Sequence, residues 1–225
     1  MNINEHICDC DHEVHYMMPD LHKKDVNIER VAKIALGDEK LLMELINGLI
    51  VKNEIFRYNC SKTLALLSEK HADVVYPKWD DIVKLLSSDN TYHKISAIII
   101  IANLTGAGAD TENKFETIFN EYFNLLDDKS MITATYVCRN SWKIVKAKPK
   151  LQTKVTNRLL DIDKTHHNPE RKDLIKGYAI ESFYNYFEEV KNKKKVIDFV
   201  KKQLESKSPR TRKEAEKFLK KMEEK

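Results

Sequence analysis

The sequence predicts an all-α fold in which about five helical pairs stack into a right-handed α-α superhelix, or solenoid. Glycine and proline number only five each among 225 residues, and a third of the residues are charged, which favours helices over strands. A run of four isoleucines lies between helix boundary signals, and one side-chain pattern recurs about every 40 residues. Together these observations predict a repeated helical architecture.

The isoleucine run, Ile98 to Ile101, lies in a predicted helix over Thr91 to Gly106. "SSDN" before this segment supplies capping side chains, and "TGAG" at its end supplies stop signals. Four consecutive residues sweep about 400° around a helix, so the run cannot lie on one face. The apolar stretch is about half the roughly 20 residues that a transmembrane helix needs. We therefore expect a helix covered on several sides in the inner layer of a stack, and no membrane segment.

The recurring pattern is an apolar or aromatic anchor followed by a basic residue at +1, a small residue at +4, and large apolar residues at +8 and +11. The third copy is the weakest, since Ala134 stands where a basic residue is expected. A second amphipathic segment precedes each copy, and Pro77 and Pro149 stand where a first helical turn tolerates proline. A short helix near Ile28 to Leu36 comes before the pairs. Intervals of 37, 40, 42 and 36 residues separate the anchors, which are Phe56, His93, Thr133, Ile175 and Thr211.

These copies resemble HEAT repeats, whose second helix shows a similar hydrophobic-basic-x-x-small-x-x-x-Leu pattern after an aspartate-containing turn. The corresponding turns here are "LLSSDN" and "LLDDKS", and the resemblance covers about Glu39 to Glu223. It implies a solenoid, related to armadillo-type repeats, whose second helices line a concave face that holds partners. The period exceeds that of tetratricopeptide and ankyrin repeats. A non-repeating helical bundle with coincidental apolar stripes is the alternative.

Charge divides the chain into a predicted acidic tail, residues 1–24, and a single solenoid domain, residues 25–225. The first 22 residues contain five acidic residues, four of the eight histidines and no lysine or arginine. From Lys191 onward, fourteen lysines and arginines stand against six acidic residues. The net charge of +4 is too mild to indicate a nucleic-acid binder by itself. With no secretory signal visible, we expect a cytoplasmic protein.

The tail contains a candidate metal site at His6, Cys8, Cys10 and His12. In an extended chain these alternating residues point to one side, and sulfur and nitrogen ligands suit zinc or copper. The spacing is not that of a usual structural zinc site, so an acidic solvated tail without metal is the alternative. Zinc at this site is the one cofactor that the sequence suggests.

Enzyme motifs are not recognisable, and no catalytic residue is predicted. "HEVH" is one residue short of the zincin helix motif, and the sequence shows no P-loop, Rossmann glycine pattern or nucleophile elbow. His166 and His167 are interpreted as part of a polar loop, and Trp79 and Trp142 as core residues. These observations favour a non-enzymatic protein.

Offsets +2, +3, +6 and +10 of the pattern are expected to be exposed on the concave face. Asn59 and Thr135 fall at such offsets, and tyrosines among basic and amide side chains suit protein recognition. The predicted partner-binding residues are Tyr58, Lys62, Asn103, Tyr136, Arg139, Lys143, Tyr178, Glu181 and Asn185. Lys213, Lys217 and Lys221 form a second candidate surface, an edge that could contact phosphate groups, although capping of the solenoid also explains them.

The sequence therefore predicts an interaction scaffold, or adaptor, that binds another protein on its concave face. The alternative is a nucleic-acid-binding protein similar to the HEAT-like DNA glycosylases that remove alkylated bases. Those enzymes depend on an acidic residue and tryptophans gathered in a basic groove, and no motif of theirs matches this chain residue by residue. A positive groove that holds Trp142 beside a carboxylate would favour the alternative.

Overall fold

The structure, a computed structural model, describes residues 20–223, and every regular element in that range is helical. The predicted all-α fold is confirmed. Short 3-10 turns follow most of the first helices of the pairs, as at Leu125–Asp127 and Asp161–Lys164. The α-helices are α1 (Ile28–Ala35), α2 (Glu39–Gly48), α3 (Glu54–Lys70), α4 (Ala72–Val75), α5 (Trp79–Val83), α6 (Thr91–Gly106), α7 (Lys114–Asn124), α8 (Met131–Ala147), α9 (Gln152–Leu160), α10 (Pro169–Tyr186), α11 (Lys193–Lys202) and α12 (Pro209–Glu223).

The helices form a solenoid-like stack of pairs in sequence order. The five long second helices α3, α6, α8, α10 and α12 each pack against the next and form a continuous inner layer. The first helices of the five pairs are, in order, α2, the broken segment α4–α5, α7, α9 and α11. Each packs against the second helix of its own pair, either directly or through the turn that follows the first helix. Helix α1 packs against α2 and α3. The five pairs, and the short helix before them, lie where the sequence predicts them.

Local side chains explain where the helices begin. Asn53, Asn90 and Asn168 precede α3, α6 and α10, and each side chain accepts a hydrogen bond from a backbone N–H in the first turn. Such caps satisfy donors that the helix itself leaves unpaired. Pro77 and Pro149 lie in the first turn of short 3-10 segments, as expected from their fixed φ and missing N–H.

The isoleucine helix α6 lies in the middle of the inner layer, between α3 and α8. Ile98, Ile100 and Ile101 are fully buried, whereas Ile99 is half-buried. The neighbouring helices therefore cover α6 on all sides but one. A run of four apolar residues needs such cover, because its side chains point in all directions around the helix axis.

The recurring pattern corresponds to a recurring core. The residue at +4 is completely buried in every copy and belongs to the hydrophobic core. The +8 and +11 positions are also buried in the first four copies, whereas Leu219 and Met222 of α12 are only partly buried. No further described helix packs on the outer side of α12. The +4 residues are Cys60, Ala97, Val137, Ala179 and Ala215.

Packing extends into the segment assigned to the tail, since Leu21 is buried in the core. The Asn59 side-chain amide donates to the backbone carbonyls of Leu21 and Lys23 at 2.8 Å each, which fixes this segment against α3. Trp79 is a core residue, as predicted. Across residues 20–223, no helix combines the length and apolar character that crossing a membrane requires.

Candidate functional site

A cleft of about 1020 Å³ opens against the inner helices α3, α6 and α8. We call it the inner cleft. Ala65, Ile95 and Ile99 give it an apolar lining, and the exposed side of the isoleucine helix therefore faces this space. Because residues of four successive pairs line it, Glu181 of α10 among them, the cleft depends on the stacking of the pairs.

Large hydrophobic side chains project around the inner cleft. Tyr58 is 60% exposed, Tyr92 62% and Ile132 49%, and all three line the cleft. Among the described residues, only Ile50 has a comparable exposure for a large hydrophobic side chain. Exposed apolar groups gathered at one concavity are typical of a binding surface rather than of a solvated helix face.

Cationic side chains lie over the tyrosine rings along the inner helices. Lys62 lies 5.4 Å from the ring centre of Tyr58, and Arg139 lies 5.6 Å from that of Tyr136 and 5.7 Å from that of Tyr178. Contacts at these distances are favourable cation–π interactions. They orient both partners before a ligand binds, so less side-chain freedom is lost on binding.

Another cation–π contact joins the first and second pairs. The Arg57 guanidinium lies 5.2 Å from the Tyr92 ring centre, so a side chain of α3 supports an exposed ring of α6. Arg57 also donates to the backbone carbonyls of Val51 at 2.9 Å and Lys52 at 3.3 Å. Arg57 is therefore held in place from both sides.

The lining of the inner cleft carries an excess of positive charge. Five cationic side chains and two acidic side chains, Glu54 and Glu181, face it, a difference of three charges. Arg210 already binds the Glu181 carboxylate at 2.8 Å, which leaves that acid less able to neutralise the cleft. The five cationic residues are Lys24, Arg57, Lys62, Arg139 and Lys143.

Lys143 is half-buried in this lining. Its ammonium donates to the Asn103 side-chain oxygen at 2.5 Å, and the Asn103 amide donates in turn to Ala65 O and Ser68 Oγ, both at 3.0 Å. Burial is the main cause that lowers the pKa of Lys143 below its ordinary value; the charge of Glu69 opposes this shift, and the charge of Arg139 adds to it. A carboxylate placed near this ammonium would relieve that destabilisation of the charged form.

The structure brings most of the predicted partner-binding residues together. Tyr178 does not line the cleft but touches Arg139, which does, and Asn185 is exposed further along α10. The six predicted residues that line the inner cleft are Tyr58, Lys62, Tyr136, Arg139, Lys143 and Glu181.

The prediction that Asn59, Asn103 and Thr135 are exposed is wrong. Asn103 is only 5% exposed because it faces α3, where Ala65 and Ser68 accept its hydrogen bonds. Asn59 is buried beneath the segment around Leu21, and Thr135 is buried as well. Asn103 and Thr135 therefore support the inner layer and do not line the inner cleft, whereas Asn59 lines it from a buried position.

Tyr92 and Ile132 were missed by the sequence pattern, although a signal for them exists. Both immediately precede an anchor, and the corresponding position is apolar in four of the five copies. Trp142 is also placed differently from its interpretation as core. It is half-buried, so it packs against the core while lining the inner cleft.

The predicted lysine edge on α12 is separate from the inner cleft. Lys217 and Lys221 lie 4.7 and 3.8 Å from the ring centre of Tyr184, and Lys221 also donates to the Tyr184 carbonyl at 3.3 Å. Lys213 is exposed. Two of the three lysines therefore have an intramolecular role that does not require a phosphate group.

A cluster of potential metal ligands lies between the third and fourth pairs. A carboxylate oxygen of Asp127 and one ring nitrogen each of His166 and His167 lie within 4.8 Å of one another. His166 and His167 lie in a loop, as interpreted from the sequence, but His167 is only 3% exposed. The predicted metal residues of the tail, His6, Cys8, Cys10 and His12, lie outside the described residues.

Comparison with known proteins supports the fold alone. No family model matches the chain, and no curated protein matches it. A crystal structure of an engineered protein from the Northeast Structural Genomics Consortium is similar, with a TM-score of 0.50 and 14% sequence identity. The similarity covers 88% of this chain and 89% of that one. Fold and site together define the protein as an all-α stack of helical pairs with a cationic, tyrosine-rich cleft on its inner layer.

Proposed function

We propose that the protein is a non-enzymatic adaptor that holds an acidic segment of another protein in its inner cleft. The observation that carries this proposal is the convergence of Tyr58, Tyr92 and Ile132, all strongly exposed, on a concavity with an excess of positive charge. Apolar anchors and fixed charges in one place favour a ligand that offers both, as a peptide segment does.

The apolar groups are suited to anchor the ligand. Tyrosine and arginine side chains are enriched among the residues that dominate binding energies, because each combines a large contact area with a polar group. Tyr58 and Arg139 are exposed, and each already takes part in a cation–π contact. A partner would therefore meet side chains whose orientation is restricted in advance.

The charges select an acidic ligand. Arg57 and Lys143 are bonded to uncharged carbonyl oxygens, so these contacts leave their positive charge uncompensated. Charge of this kind accelerates association with an oppositely charged segment and disfavours basic competitors. The resemblance to HEAT repeats adds support, because it implies that the second helices hold partners.

A random peptide display selection tests this function. The wild-type protein serves as bait, and the variant Tyr58→Ala, Tyr92→Ala, Arg139→Ala, which we call the cleft variant, serves in a parallel selection. We expect the wild type to enrich peptides with Asp or Glu beside an aromatic or aliphatic residue, and the cleft variant to lose that enrichment. Enrichment of the same peptides by both proteins would contradict the proposal.

A nucleic-acid-binding function is the second candidate, and the position of Trp142 favours it. Trp142 lines the inner cleft with Lys143 over its ring at 5.9 Å, and aromatic rings among cations can stack on bases. Fluorescence anisotropy with labelled single-stranded and duplex DNA tests it. Binding weakened by Trp142→Ala, with an affinity that falls steeply as salt rises, would support this candidate over the adaptor.

A further inference from the structure

We propose that Asp127, His166 and His167 form a binding site for a divalent transition-metal ion, with zinc as the ion that suits these ligands, at the junction of the third and fourth helical pairs. The site is separate from the inner cleft and does not depend on the proposed adaptor function. Three ligand atoms within 4.8 Å of one another are close enough to meet one ion after small side-chain movements.

Loop geometry allows two adjacent histidines to act together. His166 and His167 lie between the 3-10 turn Asp161–Lys164 and the cap residue of α10, outside any helix. Their ring centres are 4.4 Å apart and the rings are tilted by 37°, so both imidazoles project into the same region. In a helix, neighbouring side chains would diverge by about 100°.

Asp127 supplies the carboxylate from the preceding pair. Its Oδ1 atom accepts a hydrogen bond from the backbone N–H of His166 at 2.7 Å and lies 2.5 Å from the His166 Nδ1 atom. The loop is thereby held against the turn that ends the first segment of the third pair. Ligand atoms around a tetrahedral zinc ion are separated by about 3.3 Å, given bonds of about 2.0 Å, so the carboxylate and the imidazole need to separate by less than 1 Å.

The hydrogen bonding of His167 leaves one of its nitrogens available. The Nε2 atom lies 3.2 Å from the Leu126 carbonyl, which can only accept, so Nε2 carries the proton and donates. The Nδ1 atom is buried without a hydrogen-bond partner in the described part of the chain. A histidine that donates one N–H to a backbone carbonyl and keeps a free lone pair on the other nitrogen is in the form that metal ligation uses.

The ligand set selects the ion. Two imidazoles and one carboxylate suit zinc and related transition metals, whereas calcium and magnesium prefer oxygen ligands alone. The Asp127 and His166 side chains are each 53% exposed, which leaves room for water at a fourth position. Three protein ligands and one water form a coordination shell that zinc commonly adopts.

Zinc titration of the full chain tests the site. The protein is prepared without a histidine tag and with Cys8→Ser and Cys10→Ser, which disables the candidate ligands of the tail, and is then stripped with a chelator. We expect isothermal titration calorimetry to show one equivalent of zinc bound. Zinc should also raise Tm, because a ligand that binds only the folded state stabilises it.

Matched variants in the same background decide the assignment. Asp127→Asn and His166→Ala should each weaken zinc binding by about tenfold or more, while the control His71→Ala, at another exposed histidine, should leave it unchanged. Both ligand changes affect half-exposed side chains, so circular dichroism should show folded protein. Absence of zinc binding, or binding unchanged by these two substitutions, would show that Asp127 and His166 form only a hydrogen-bonded contact between pairs.

Discussion

The Lys94 ammonium lies 2.5 Å from the Asp128 carboxylate, and both side chains are more than nine-tenths buried. Lys94 is the basic residue at +1 in the second copy of the repeating pattern, and Asp128 stands six residues before Ala134, the +1 position of the third copy. In the first and last copies, Arg57 and Arg212 donate to the backbone carbonyl six residues earlier, at 2.9 and 2.6 Å.

The basic position of the pattern therefore fixes the turn between the two helices of a pair. In the third pair, which has alanine at +1, the lysine of the preceding pair contacts that turn instead. Burial by itself would raise the pKa of Asp128, but the hydrogen bonds from Lys94 and the backbone N–H of Ser130 outweigh it and lower the pKa. The carboxylate is ionised at neutral pH and needs its partner.

Replacing Lys94 with methionine should lower the free energy of unfolding by about 3–5 kcal/mol, since it leaves a buried carboxylate without a counter-charge. Urea denaturation followed by circular dichroism measures this change. The double variant Lys94→Met, Asp128→Asn should recover most of the loss, because no buried charge then remains. A loss below about 1 kcal/mol in the single variant would mean that the pair does not hold the turn.

Gly177→Ala should destabilise the last pair, although alanine is the better helix former. A Cβ atom at Gly177 would lie 2.6 Å from Thr211 Oγ1 and 3.2 Å from Thr211 Cα, so α12 would have to move away from α10. Overpacking of this kind costs about 1–3 kcal/mol, against about 1 kcal/mol of helix propensity gained. Hydrogen exchange should show faster exchange in α12, and Tm should fall.

The matched control for that substitution is Gly37→Ala. A Cβ atom there has no neighbour within 4 Å, so we expect a change within about 0.5 kcal/mol. Equal Tm values for the two alanine variants would contradict the close approach of α10 and α12.

His93 should make the protein less stable as the pH falls through the ordinary histidine pKa of 6.5. Burial, and secondarily the charge of Arg57, lowers the pKa of His93 in the folded state. The unfolded chain therefore takes up a proton first, and stability decreases until the pH falls below the folded-state pKa. The aspartates with lowered pKa values, such as Asp110 and Asp128, lose their contribution to the free energy of unfolding only below about pH 4, outside the range in which His93 acts.

Tm measured from pH 7 to pH 5 for the wild type and His93→Gln checks this expectation, since the difference between the two curves isolates the contribution of His93. The wild type should lose more stability over this range than the variant. Parallel curves would show that His93 does not titrate differently in the folded and unfolded states.

Sequence reasoning reached the fold because the repeating pattern reflects local helix geometry. An apolar residue at +8 or +11 and a small residue at +4 face the neighbouring helices in every pair, whatever the partner sequence. Tyr58, Tyr136 and Arg139 were predicted as surface residues for the same reason, because their offsets place them on the face of the second helix opposite to the buried one. The assignment to HEAT repeats stays a prediction.

The missed features depend on contacts between residues far apart in the chain. Asn103 is buried because Ala65 and Ser68, 38 and 35 residues earlier, accept its hydrogen bonds. Asp127 and His166 meet across 39 residues because two pairs stack with these turns in register. Neither relationship can be derived from helical periodicity within one segment.

The affinity of the inner cleft for an acidic peptide tests the proposed function most directly. A peptide enriched on the wild-type protein is labelled, and its Kd is measured by fluorescence anisotropy for three proteins. They are the wild type, the cleft variant, and a control with Lys213→Ala, Lys217→Ala and Lys221→Ala, which removes three cations outside the cleft. Tm should stay nearly constant in the cleft variant, since Tyr58, Tyr92 and Arg139 are exposed.

We predict that the cleft variant binds at least about 100-fold more weakly than the wild type, since three anchor side chains of roughly 1 kcal/mol or more each are lost. The Kd of the lysine control should stay within about threefold of the wild-type Kd, because the three removed charges lie outside the cleft and are screened by salt. A cleft variant that keeps the wild-type Kd, with its Tm unchanged, would contradict the assignment of the inner cleft as the partner-binding site.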